Sequence, residues 1–88
     1  MLESAQIRAA RALLGWHQEE FAKRAKIGLA TIQRLERAPP GPVMAHVATV
    51  VKIIGCVEKA GIAFIADDNS GGKGVRFKQT GKILARQL

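Results

Sequence analysis

The sequence contains little cysteine and no long apolar segment. Its single cysteine, Cys56, cannot form a disulfide within the chain, so a reducing compartment is the natural setting. A membrane-spanning helix needs about 18 consecutive apolar residues, and neither the opening stretch MLESAQIRAARALLG nor any later segment provides them. We therefore expect a cytoplasmic protein that has no membrane partner.

Acidic residues are also scarce. The chain has 14 lysines and arginines against 7 aspartates and glutamates, which gives a net charge of +7. Such a balance is typical of proteins that bind phosphates or an anionic surface. A chain of 88 residues has room for a single modest core. We expect one domain over residues 1–88, and this length excludes a large enzyme fold.

Residue sets for catalysis or metal binding are missing from the sequence. His17, His46 and Cys56 are too far apart for the close ligand spacing of a zinc knuckle. The stretch SGGKG lacks the glycine spacing and the following Ser or Thr of a phosphate-binding loop. No Ser-His-Asp or Cys-His set comes with a fold large enough for a pocket. We expect no enzyme activity, no metal and no cofactor.

Apolar residues at helical spacing predict three short helices, at about residues 4–14, 18–25 and 29–37. Gly15 can adopt the left-handed conformation that ends the first helix. Gly28 can cap the third helix at its start. The three helices are therefore separated by turns of only a few residues.

Further signals mark the ends of the second and third helices. His17 stands at the cap position of the second helix, and Glu20 follows where a capping-box carboxylate would reach back to the free backbone amide. Pro39 and Pro40 forbid continuation of the third helix, because proline lacks the N–H donor and disfavours helix in the preceding residue.

The chain after the prolines changes in character. PVMAHVATVVKIIGCVEKAG is rich in Val and Ile, which favour strand, but its length and its closing glycine favour a helix. We predict a helix over about residues 44–60, which completes a helical core of about residues 4–60. The stretches IAFI, DDNSGGKG and VRFK then predict a β-hairpin over about residues 62–78. Residues 79–88 are expected to form a terminal tail.

The stretch QEEFAKRAKIGLATIQRLER, residues 18–37, resembles the helix-turn-helix of the Cro/repressor (XRE-type) transcriptional regulators. QIRAARALLGW resembles the first helix of that family, and EKAGIAFI and GKGVRFK extend the resemblance more loosely. The resemblance implies a mostly α, compact four-helix domain of the lambda-repressor-like type, followed by a C-terminal β-hairpin. It also implies a bacterial or phage-encoded regulator or repressor of transcription that binds double-stranded DNA sequence-specifically, with the helix at about residues 29–37 in the major groove.

Several buried positions fit this motif. Ala22 is small where the two helices cross, and Ile27 and Ile32 fill the wedge between them. The resemblance further implies a structural ion pair between Arg11 and Glu36, which joins the first helix to the third.

The sequence departs from the family pattern at two places. Lys26 stands at the turn, where the family usually has glycine because the backbone there has a positive φ, and lysine costs roughly 1 kcal/mol at such a position. Gly28 and Leu29 stand where Ser or Thr and then a polar residue are commoner. The tip of the third helix therefore offers bases no hydrogen-bonding side chain, and other residues must read the sequence.

Helical geometry selects the residues that meet DNA. If Ile32 and Leu35 face the core, the outward side chains of the third helix meet the groove. Arg34 can pair with guanine, Gln33 can pair with adenine, and Leu29 or Ala30 can touch a thymine methyl group. Phosphate contacts are expected from four residues: Gln18 at the start of the second helix, and Lys23, Lys26 and Arg37.

A second function is compatible with the same helices. An antitoxin-like or adaptor domain could keep the helix-turn-helix shape and use it to bind a protein partner. The apolar Leu29-Ala30 tip and the unusually apolar fourth helix favour this alternative, and the two functions could coexist.

The fourth helix also predicts a homodimer, because a helix that is apolar nearly all round must be covered on more than one side. One stripe is expected to face the core: Val43, Val47, Val50, Ile54 and Val57. The hairpin leaves unpaired edges that a second copy could satisfy. The expected dimer interface consists of Met44, Val51, Ile53, Phe64, Val75 and Phe77. In the other interpretation, the hairpin folds back over the fourth helix within one monomer.

Overall fold

The computed structural model describes residues 2–79. Its elements in chain order are α1 (Ser4–Leu14), α2 (Gln18–Ala25), α3 (Leu29–Arg37), α4 (Val47–Lys59), β1 (Ile62–Ile65) and β2 (Gly74–Phe77). The predicted fold, four helices followed by a C-terminal hairpin, is confirmed. The predicted tail lies outside the described residues except for residue 79. Within residues 2–79, none of the helices is long and apolar enough to cross a membrane.

The first three helices have the predicted bounds, but one capping prediction is wrong. Gly15 ends α1 with a φ of 69°. His17 occupies the cap position of α2, yet its side chain makes no cap hydrogen bond. Glu20 does not reach back to the helix start, because it pairs with Arg24 one turn later at 2.8 Å. At α1, by contrast, the Glu3 N–H donates to Oε1 of Gln6 at 3.0 Å.

The fourth helix starts three residues later than predicted, and its predicted core stripe is confirmed except at Val47. Its cap is His46, and the chain before it is extended, with the Val43 N–H donating to the Leu2 carbonyl at 2.9 Å. Ile53 is fully buried, whereas Val47 is 79% exposed. Val43 and Val57 are buried, and Val50 and Ile54 pack against the core. The predicted stripe is therefore wrong at Val47 and omits Ile53, because packing against α2 and β1 decides the orientation of this helix.

The core lies where the helices and the hairpin meet. Ile53 belongs to it, so the predicted role of Ile53 in a dimer interface is wrong. The largest fully buried side chains are Phe21, Ile7, Ile32, Leu35, Ile53, Ile62 and Val57. Every helix and β1 contribute to this set.

The hairpin folds back onto its own chain. β1 and β2 are antiparallel, with Ile62 opposite Phe77 and Phe64 opposite Val75. The sheet contacts α1 and α4, and Phe64, Val75 and Phe77 pack partly buried against the core. These three side chains, expected at a dimer interface, therefore pack against the core of their own chain.

The Gln6 side chain fastens the hairpin to α1. Its Nε2 donates to the carbonyls of Ile65 and Gly74, both at 3.1 Å, and so reaches both strands at once. Its Oε1 accepts the Glu3 N–H. Gln6 is buried, and each of its hydrogen bonds replaces one that water would make in the unfolded chain.

We expect Gln6→Ala to lower the free energy of unfolding by about 1–3 kcal/mol, because it removes these bonds in a buried place. Urea unfolding of the variant measures the loss. Gln33→Ala is the control, since within residues 2–79 the half-buried Gln33 side chain makes no hydrogen bond. Equal stability of the two variants would show that the hairpin does not depend on Gln6.

The turn between α2 and α3 has the backbone conformation that the sequence predicts. Lys26 has φ 59° and ψ 47°, and it is the only non-glycine residue with positive φ in the described part of the chain. The Ile27 N–H donates to the Ala22 carbonyl at 3.0 Å and closes the end of α2. A side chain at such a φ is strained.

We expect Lys26→Gly to stabilise the fold by up to about 1 kcal/mol, since glycine removes this strain while the greater entropy of the unfolded chain offsets part of the gain. Thermal melting at high salt, which screens the lost charge, is the measurement. Lys23→Gly, which loses the same charge inside α2, should instead destabilise by about 1 kcal/mol. A loss of stability in Lys26→Gly would contradict the strain.

Candidate nucleic-acid interface

One face of α3 is buried and the opposite face is open. Ile32, Leu35 and Glu36 point into the protein. Ala30, Arg34 and Arg37 are exposed on the other side, with Gln33 half-buried at its margin. Helical periodicity places these exposed residues on one surface.

Leu29 does not lie where the sequence suggested. It was expected on the open face, but it is partly buried and packs against the core. The open surface at the start of α3 is therefore formed by Ala30, and Gly28 caps the helix without a side chain. This end of α3 can approach another molecule closely, because no bulky side chain projects from it.

Glu36 connects three helices on the buried side of α3. Arg11 donates to both of its carboxylate oxygens, from Nε at 2.8 Å and from Nη2 at 2.9 Å. Gln18 Nε2 donates to Oε1 of the same carboxylate at 3.0 Å. Arg11 and Glu36 thus form the ion pair that the resemblance implied. The hydrogen bonds and negative charge of Glu36 raise the pKa of Arg11, against the opposing effect of burial.

This arrangement also restricts Gln18. One N–H of its amide is held by Glu36, but Nε2 carries a second N–H, and the amide oxygen is an acceptor. Gln18 is half-buried. A phosphate at the start of α2 can therefore be bound by the remaining amide N–H, with the amide already oriented.

Arg34 is held by the segment that follows α3. Its Nη1 donates to the Met44 carbonyl at 3.2 Å. A groove runs beside this contact, lined by Thr31, Arg34, Met44, Ala45, His46 and Thr49. A guanidinium has five N–H donors, so this bond orients Arg34 and leaves its other donors for a ligand.

The sequence did not predict three of the residues that line this groove. Thr31, His46 and Thr49 line it, and none was selected as a site residue. The later start of α4 is the reason, because it makes His46 the cap and puts Thr49 in the first turn. The sequence PVMAHVATVV around this start is mostly small and apolar, so it does not mark where the helix begins.

The remaining basic residues of the expected site do not form one group. Lys26 is exposed in the turn, and Arg37 is exposed at the end of α3. Lys23 lies on the outer side of α2, in a shallow depression with Glu19 and Glu20. These two carboxylates offset its positive charge, so Lys23 is the weakest of the expected phosphate contacts.

Cys56 lies away from this surface. It lines a depression with Trp16, Arg24 and Lys59, where the Arg24 guanidinium stacks over the Trp16 ring at 4.7 Å. Burial raises the pKa of the Cys56 thiol more than the positive charge of Arg24 lowers it. The thiol is therefore not activated for chemistry.

The matched family agrees with this geometry. The helix-turn-helix family model, of the XRE type, matches residues 7–56, more than half of the 88-residue chain. A search of curated proteins finds no match. The matched segment runs from α1 into α4 and includes the turn at Lys26, the open face of α3 and the pair of Arg11 and Glu36. The chain therefore belongs to the XRE-type helix-turn-helix family of DNA-binding regulators.

Proposed function

We propose that the protein is a transcriptional regulator that binds double-stranded DNA sequence-specifically, with α3 in the major groove. The observation that carries the proposal is the open face of α3, where Ala30, Arg34 and Arg37 are exposed opposite a fully packed side. A major groove admits one α-helix whose outward side chains contact base edges. The net charge of +7 supplies attraction to phosphates.

Base recognition is assigned to three residues of α3. Arg34 pairs with a guanine through the donors that Met44 leaves free. Gln33 pairs with an adenine from the margin of the face, and Ala30 touches a thymine methyl group. Leu29 makes at most an edge contact, since it is partly buried.

Phosphate contacts set the orientation of the helix on DNA but carry no sequence information. Gln18 binds a phosphate with its second N–H, at the start of α2, where the helix dipole also favours an anion. Lys26 and Arg37 add charge from the turn and from the end of α3. Lys23 contributes least, because Glu19 and Glu20 lie beside it.

One observation favours binding to a protein as well. Met44, Val47 and Val51 are exposed by 84%, 79% and 61%, and an apolar surface of this kind is typical of a protein interface. We assign it to a homodimer, which would present two recognition helices to two half-sites about 34 Å apart. The exposed apolar side chains do not belong to the DNA-binding face of α3.

DNA binding is tested by an electrophoretic shift with random duplex DNA at two salt concentrations. We expect affinity to fall steeply with salt, because each neutralised phosphate releases counterions. An apolar protein interface would respond little to salt. Absence of any shift at low salt would contradict DNA binding and would favour the adaptor function.

The role of α3 is tested by Arg34→Ala. We expect affinity for the selected site to fall by about 1–3 kcal/mol and the preference at one base pair to relax, as follows from loss of a bidentate base contact. Binding-site selection on random duplexes followed by titration measures both quantities. The expected operator is thereby identified in the same experiment.

Two control variants separate base reading from charge. Arg24→Ala removes the same charge from α2, where Arg24 pairs with Glu20 and stacks on Trp16, and it should leave base preference unchanged. Gln18→Ala should weaken binding to all sequences nearly equally, because it removes a phosphate contact. If Arg34→Ala changes neither affinity nor preference, α3 does not read the groove.

A further inference from the structure

We propose that α4 of one copy packs antiparallel against α4 of a second copy, with Val51 of each chain lying on Gly55 of the other. This inference deepens the proposed homodimer and rests on it, but it is independent of whether α3 binds DNA. It names the interface, its central contact and the direction of the two helices.

The first observation is a strip of exposed apolar and small residues along the outside of α4, which ends at Glu58. Val47 and Val51 lie one turn apart and are exposed, and Ala48 and Gly55 are exposed beside them. α2 and β1 cover the opposite side. An isolated exposed valine needs no explanation, but adjacent ones on a single helix face, next to the exposed Met44, form a patch that favours burial.

The second observation is the glycine in the interior of this helix. Glycine destabilises a helix interior relative to alanine. A Cβ at Gly55 would meet no atom within 4 Å, and its φ is not in the positive range. Nothing within the described chain therefore requires glycine there. A glycine on an exposed helix face permits close approach of another backbone, and the neighbouring Ala48 is small as well.

The third observation is the charge at the end of the helix. Glu58 lies in the last turn, where the negative end of the helix dipole disfavours a carboxylate. Within residues 2–79, its side chain has no ion-pair or hydrogen-bond partner. In an antiparallel pair, Glu58 of one copy lies beside the start of α4 in the other copy, where the dipole is positive and His46 is the cap.

These observations together favour a second copy as the occupant. In a two-fold symmetric antiparallel pair, two residues of different copies face each other when they lie equally far on either side of the axis. An axis that places Val51 opposite Gly55 therefore also places Ala48 opposite Glu58. Each helix then supplies a valine, a glycine and the Glu58 carboxylate, whose negative charge complements the positive start of the other helix. The same symmetry places Met44, and the Arg34 bound to its carbonyl, at opposite ends of the helix pair. The two α3 helices are thereby separated, as two half-sites require.

The test is sedimentation equilibrium of the whole chain at micromolar concentration. We expect a dimer mass, and we expect Val51→Glu to raise the dimer dissociation constant about tenfold or more. Leu13→Glu is the matched control: Leu13 is 39% exposed on α1, outside the strip, so the same change there should leave the dimer intact. If the wild-type chain sediments as a monomer, or as a monomer bound to a different protein, the proposal is overturned.

Gly55→Leu separates the interface from folding. Leucine favours helix over glycine, and a Cβ at this exposed position meets no atom within 4 Å, so the change should raise the melting temperature when added to the monomeric Val51→Glu variant. In the wild-type background it should weaken the dimer about tenfold or more, because the side chain occupies the place of Val51 of the other copy. A dimer unaffected by Gly55→Leu would contradict the contact at Gly55.

Helix direction is tested by cysteine cross-linking in a Cys56→Ala background. Ala48→Cys and Glu58→Cys variants are mixed and oxidised. An antiparallel pair gives mainly the mixed disulfide between the two variants, whereas a parallel pair gives disulfides between identical variants and would overturn the proposed arrangement.

Val51→Glu should still bind a duplex with a single half-site. Loss of dimerisation can thus be distinguished from failure of the DNA-binding proposal.

Discussion

The structure depends on the buried carboxylate of Glu36. Glu36 is buried, and a buried carboxylate is costly unless it is paired and hydrogen-bonded. Here two N–H groups of Arg11 and one of Gln18 satisfy it. The three residues belong to three different helices, so the angle between α2 and α3 cannot change without breaking a buried charged contact. Such a pair adds little net stability, but it penalises other arrangements of the helices.

The open face of α3 follows from this constraint. Because Glu36 must point inward, the 3.6-residue period turns Arg34 and Arg37 away from the core. Arg8 also donates to the Glu36 carbonyl, and the Ser4 hydroxyl donates to the Ala38 carbonyl at 3.0 Å. The end of α3 is therefore tied to α1, and its exposed arginines extend from a rigid helix. A site on a fixed element holds its geometry better than one on a loop.

Local signals made most of the fold predictable from sequence, and their absence explains the errors. Gly15 marks the end of α1 by its left-handed backbone conformation, and the predicted bounds of the first three helices are confirmed. α4 is apolar on most of its surface, and its charged residues Lys52, Glu58 and Lys59 are all exposed, but they do not by themselves separate Ile53 from Val47. Ile53 and Val47 look equivalent in sequence, yet one is buried and the other exposed, because α2 and β1 determine the choice. The groove beside Arg34 was not predicted, because its lining depends on the residue at which α4 begins.

The hydrogen bond from Arg34 to the Met44 carbonyl joins the two surfaces of the molecule. Arg34 belongs to the open face of α3, and Met44 continues the apolar strip of α4. A contact that buries Met44 restricts the carbonyl that orients Arg34, and DNA that holds Arg34 restricts Met44 in return. Coupling of this kind is reciprocal, because each partner can favour only the arrangement that it binds better. In the proposed dimer, base reading by Arg34 would therefore be linked to dimer formation through this loop, whereas Gln18 lies in another segment of the chain.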